Sequence, residues 1–73
     1  MMGIKLSVYV KDDYVTINTE DGFEVCHWIK EEWEEDSSIV PSIVNAICMA
    51  YAAPEKLLEL CKEHIEAQKM RIT

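Results

Sequence analysis

The stretch Glu20-Asp21-Gly22-Phe23-Glu24-Val25-Cys26-His27-Trp28-Ile29-Lys30-Glu31-Glu32-Trp33-Glu34-Glu35-Asp36 decides the fold of this 73-residue chain. It can be read in two ways. As a helix, Asp21 followed three residues later by Glu24 resembles a capping box. At 100° per residue, Phe23, Val25, Cys26, Ile29 and Trp33 then share one arc of about 160°, with most charges opposite and Trp28 on the flank. As a strand, Asp21-Gly22 is a hairpin turn and Phe23 opens the strand. Its faces would be Phe23, Val25, His27 and Ile29 against Glu24, Cys26, Trp28 and Lys30, and both are mixed. The cleaner helical face favours a helix over about 22–35; a third strand is the alternative.

Upstream the pattern is sharper. Ile4, Leu6, Val8 and Val10 alternate with Lys5, Ser7 and Tyr9, the period of a half-buried strand. Tyr14 to Thr19 resumes the alternation after Asp12-Asp13. A two-residue loop at Asp12-Asp13 sets Lys11 opposite Tyr14, Val10 opposite Val15, Tyr9 opposite Thr16, Val8 opposite Ile17 and Ser7 opposite Asn18. The apolar faces coincide in that register, and a slip of one residue would turn one of them to water. A hairpin over about 4–19 is therefore expected. Alone it is marginal in water, so other elements must cover its apolar face.

Downstream, Asp36-Ser37-Ser38 offers N-cap chemistry, and Pro41 suits the first turn of a helix over about 38–52. Ile39, Ile43, Ile47 and Tyr51 form one row, and Val40, Val44, Cys48 and Ala52 the next. No charge falls in this segment, which predicts a helix buried on most sides. Asp36 and its neighbours would lead its N-terminus, where negative charge is favourable. Pro54 begins a last helix over about 54–70, with Leu57, Leu58, Cys61, Ile65 and Ile72 along one stripe. The expected class is α+β: an N-terminal antiparallel hairpin followed by two or three helices in one small domain, residues 1–73. The alternative is a three-stranded meander with two helices. The hairpin's apolar face should pack on the Ile39–Tyr51 helix.

Composition excludes several classes. Half the residues are apolar and only two are Gly and two Pro, which excludes a disordered segment. No run of about 18 apolar residues is present to span a membrane. Fourteen acids against seven bases give a net charge of −7, contrary to binding by phosphate neutralisation. The charge is uneven: residues 1–11 carry +2, residues 12–36 carry −9, and residues 37–73 are neutral. A domain of this size buries only about 60% of its unfolded surface, so a partner or second subunit is a natural source of added stability. Cys26, Cys48 and Cys61 are odd in number, and the first residues lack the apolar run of a secretory leader. The expectation is three free thiols in a reducing cytoplasm. Met2 to Ser7 fits a loose myristoylation pattern, but the same residues alternate as a strand, which is the preferred reading.

Enzyme-like constellations are weak. Cys61 and His64 stand at i,i+3, and Cys26-His27 could complete four zinc ligands. Adjacent residues point apart, however, and all three cysteines fall on apolar stripes. A Cys61–His64 nucleophile would need an electropositive setting, and Glu63 and Glu66 flank it. A chain this short also leaves little room for a pocket of several hundred Å³. No catalytic residue, metal or cofactor is assigned.

Two readings of the acidic segment stand side by side. It is either a solvated face that keeps an apolar domain soluble, or a docking surface for a basic partner. The functional expectation is a non-enzymatic protein-binding module. Its candidate residues are Glu20, Asp21, Glu24, Trp28, Glu31, Glu32, Glu34, Glu35 and Asp36, with Trp28 as an interface anchor. By analogy of class, small acidic inhibitors or accessory proteins of phage type fit this composition. The alternative is a homo-oligomer that joins through the apolar helical surface of residues 39–72. A small zinc domain is a remote third. Neither direct nucleic-acid binding nor membrane binding is expected.

Overall fold

A computed structural model describes residues 3–72. Met2, on which the myristoylation pattern depends, lies outside the described residues, as does the Ile72 side chain in the last stripe. The element order is β1 (Leu6–Val10), β2 (Tyr14–Thr19), β3 (Glu24–Ile29), α1 (Lys30–Glu35), a 3-10 turn (Ser37–Ile39), α2 (Val40–Ala52), α3 (Pro54–Leu60) and α4 (Lys62–Ile72). The strands form one antiparallel sheet in the order β1-β2-β3. The fold is α+β with an N-terminal hairpin, and the meander is the form it takes.

The hairpin register is the one that the apolar alternation dictates: Val10 faces Val15, Tyr9 faces Thr16, Val8 faces Ile17 and Ser7 faces Asn18. The Lys11 N–H donates to the Tyr14 carbonyl at 2.8 Å and closes the Asp12-Asp13 loop.

The expected helix over 22–35 is corrected. Residues 24–29 are strand, and only Lys30–Glu35 are helical. The pairing of β2 with β3 explains why period two was hidden. Ile17 faces Cys26 and Asn18 faces Glu24, so Val25 is an extra residue in a β-bulge. A bulge places two residues of one strand against one of its neighbour and disrupts the alternation there. Val25 is buried, and Phe23, Cys26 and Trp28 all pack against the core. Glu24 and His27 stand out of it. Asp21 caps no helix; its carboxylate accepts the Thr19 hydroxyl at 2.6 Å. The Gly22 N–H donates to the Thr19 carbonyl at 3.1 Å, and Gly22 takes φ +91°, the left-handed backbone of a tight turn.

The helices cover one face of the sheet. Ile17 and Val25 from the strands meet Ala46 and Ala50 of α2, Leu57 of α3 and Ile65 of α4. Two alanines one turn apart let α2 lie close to the sheet. Asp36 accepts hydrogen bonds from the Ser38 N–H at 3.1 Å and from its hydroxyl, so it leads the 3-10 turn into α2 as expected. Pro41 occupies the first turn of α2 and Pro54 the first turn of α3.

Two expectations about the helices change. The helix over 54–70 is divided at Cys61, although Cys61 N–H to Leu57 and Ile65 N–H to Cys61 hydrogen bonds run across the break. And α2 is not buried on most sides. Ile43, Ala46 and Ala50 face inward, but Val40, Val44, Cys48, Tyr51 and Ala52 are exposed. The sheet is narrow, so it covers only one flank of α2.

Candidate functional site

The chain folds its acidic segment into two separate places. The β1–β2 turn and the C-terminal end of β3 lie at one end of the sheet; the β2–β3 turn lies at the other. A hydrogen bond of 2.8 Å from the Lys30 N–H to the Asp13 carbonyl ties the start of α1 to the first turn. Lys11 to Asp13 and Lys30 to Asp36 therefore share one end, with seven carboxylates against two lysines, a net charge of −5.

Within that end the carboxylates differ in what they do. Glu32 reaches back to accept the Ile29 N–H at 3.0 Å, in the manner of the third residue of a capping box. Asp36 holds Ser38. Glu34 lies 3.9 Å from the Lys30 ammonium, an exposed pair worth a few tenths of a kcal/mol. Glu31 and Glu35 have no ion pair or hydrogen bond from their side chains among the described residues, and both are exposed.

Glu20 and Asp21 sit at the far end. The Thr19 hydroxyl holds the Asp21 carboxyl below its usual range, with a smaller contribution from Lys69. Lys69 also lies over the Phe23 ring, 5.6 Å from its centroid. Both acids border an open groove of about 540 Å³ between the N-terminal strand, this turn and α3–α4. A chain of 73 residues does have room for such a groove, contrary to expectation. Ile4, Leu6, Phe23, Leu58 and Ile65 give it apolar walls; Lys5, Lys62 and Lys69 mix with the acids around it.

Glu24, the first residue of β3 after the β2–β3 turn, is taken up by α4. Its carboxylate meets His64 Nε2 at 2.7 Å, and the Gln68 side chain accepts the Glu24 N–H at 2.8 Å and donates to its carbonyl. Trp28 lies opposite Val15 and packs on the core, half-buried. The aromatic at the acidic end is Trp33, one turn into α1. Its neighbours in sequence are all charged, so its side chain is the only part of α1 fit to turn inward.

Trp33 lines a second groove, of about 240 Å³. Val15 and Ile43 are buried at its base, and Val10, Val40 and Val44 stand 61%, 41% and 53% exposed at its sides. These valines were not among the residues expected to form a site, though the uncharged row Val40, Val44, Cys48 is visible in the sequence.

Cys26 and Cys61 are half-buried neighbours, and Cys48 is exposed; all three are free thiols. Burial, then the adjoining Cys61 and Glu24, push the Cys26 thiol up to about 12, and burial raises Cys61 as well. His64 is turned to Glu24, and His27 stacks on Tyr14 with ring centroids 6.0 Å apart. Among the described residues no three or more His, Cys, Asp or Glu side chains are placed to hold a metal ion. No helix in this range is long and apolar enough to cross a membrane.

Comparison with known proteins gave no match to a family model, a curated protein or a solved structure.

Proposed function

We propose that the protein is a non-enzymatic binding module that docks the acidic end built by α1 on a basic surface of a partner protein. One observation carries this reading: among the described residues Glu31 and Glu35 are exposed and unpaired, on a helix of six residues that has no lysine or arginine in its last turn. Acids at a helix C-terminus oppose the macrodipole. Asp36 offsets part of that by capping the 3-10 turn after α1; the Glu31 and Glu35 side chains make no other hydrogen bond or ion pair among the described residues. Complementary charge speeds encounter and selects partners, most strongly at low salt. The free thiols fit work in a reducing compartment such as the cytoplasm. An inhibitor or accessory role of phage type is compatible with the size and charge.

The test reverses Glu31, Glu34 and Glu35 to lysine and compares captured partners at low and high salt. A partner captured by the native chain, released by salt and lost in the triple variant is the expected result. A partner held equally by both chains removes the reading.

A second reading rests on a different observation. The exposed row Val40, Val44, Cys48 and Tyr51 on α2 is uncharged, as a subunit interface would be. A homo-oligomer through residues 39–72 would cover it, and sedimentation at increasing concentration measures that directly.

A further inference from the structure

The acidic end and the apolar groove are adjacent. Trp33 belongs to both: it extends from α1 into the groove beside Val10, Val40 and Val44. At 100° per residue, Glu34 and Glu32 lie 100° to either side of Trp33 on α1. The groove's only charged lining residue is Lys11; the carboxylates of α1 stand on the flanks of Trp33 rather than in the groove, in an end of the molecule with a net charge of −5 once Lys11 and Lys30 are counted. From the geometry of these two features we infer that the groove receives an amphipathic helical segment of a partner protein, with apolar side chains seated on Trp33, Val40 and Val44 and basic side chains over α1. This inference rests on the proposed docking function and names the chemistry of its partner.

Three properties select this occupant. The volume, about 240 Å³, is below the roughly 300–1,000 Å³ of small-molecule sites and suits anchoring side chains. The apolar track continues from Val40 through Val44 and Cys48 to Tyr51, a rise of about 16 Å along α2 at 1.5 Å per residue. A helix of about three turns matches that length, and helix-in-groove docking uses anchors at this spacing. Charge then separates a foreign partner from a second copy. Two copies meeting at this groove would bring −5 against −5, whereas lysines or arginines beside the anchors would complement it.

The test uses three peptides of one composition, leucine and lysine, each about 18 residues long with blocked ends. In the first the leucines fall on one helical face, in the second they are scattered, and in the third they alternate. Trp28→Phe leaves Trp33 as the single tryptophan for fluorescence titration. The facial peptide should bind at least about tenfold more tightly than the other two. Val40→Ser with Val44→Ser, both at exposed sites, should remove that preference while leaving the circular dichroism and the salt-dependent binding of the scattered peptide unchanged. Equal binding of all three peptides overturns the inference and leaves acidic docking standing. Tighter binding of the alternating peptide also overturns it, in favour of strand addition. No binding by any peptide even at low salt overturns the inference and the docking function together. Self-association that excludes the facial peptide and disappears in the double serine variant assigns the groove to a second copy and overturns it.

Discussion

Gly22 alone among the described residues takes a left-handed backbone, and it does so where β2 turns into β3. No atom lies within 4 Å of the place a Cβ would occupy. The cost of a side chain there is conformational and not steric crowding by neighbours. Gly22→Ala should destabilise the fold by about 1–2 kcal/mol, read from urea unfolding. Cys26 makes a different demand. An unfolded cysteine loses its proton at about pH 8.5, while the half-buried Cys26 thiol keeps its own up to about 12. Between those values the folded chain binds more protons than the unfolded one. Stability should therefore be intact below about pH 8.5 and fall as pH rises through the window. Cys61 acts in the same direction. Urea midpoints measured from about pH 8 upward should decline, and less steeply in Cys26→Ser.

At the scale of elements, the hairpin was legible and β3 was not, for one physical reason. Leu6–Val10 and Tyr14–Thr19 obey strict alternation, so residue type fixes the face each side chain takes. In β3 the bulge at Val25 inserts a residue, and Phe23, Val25, Cys26 and Trp28 all serve the core. Those spacings of two, one and two mimic a helical stripe over so short a segment. Alternation alone cannot show the bulge, because the register that creates it belongs to the neighbouring strand. The edge of β3 carries a second long-range feature. Gln68, forty-four residues away on α4, binds both backbone groups of Glu24 as another strand would. Gln68→Ala should cost about 1 kcal/mol and speed hydrogen exchange at the Glu24 amide, with little change at the Ile17 amide in the central strand. Faster exchange at both would place the role of Gln68 in global stability.

For the whole molecule, a net charge of −7 sets up repulsion between copies that each expose Val40, Val44, Tyr51, Leu60 and Met70. Titration toward the isoelectric point, near pH 4.6, removes that repulsion and leaves the apolar exposure in place. Light scattering should rise steeply as pH approaches that value and fall again on the acid side, and added salt at neutral pH should move it in the same sense as acid. The location of the charge was legible only in part. The sequence placed −9 in residues 12–36; folding divides it, because consecutive turns of a meander point to opposite ends. Trp28 is the natural anchor only if residues 22–35 form one helix. With residues 24–29 in the sheet, Trp28 turns to the core and Trp33 takes the place beside the carboxylates.

The glutamine that occupies the Glu24 backbone has a consequence for growth. A three-stranded sheet has two borders; here Gln68 occupies the β3 border at Glu24, while among the described residues no hydrogen bond is made on the outer side of β1. Any pairing of copies through β1 joins two identical borders about a twofold axis and leaves a plugged border at each outer side. Each outer border of such a pair then carries Gln68 at Glu24, which opposes further strand addition there. The same sheet with Gln68 removed would offer a fresh border after every addition, and the closed pair would become the first unit of a fibre.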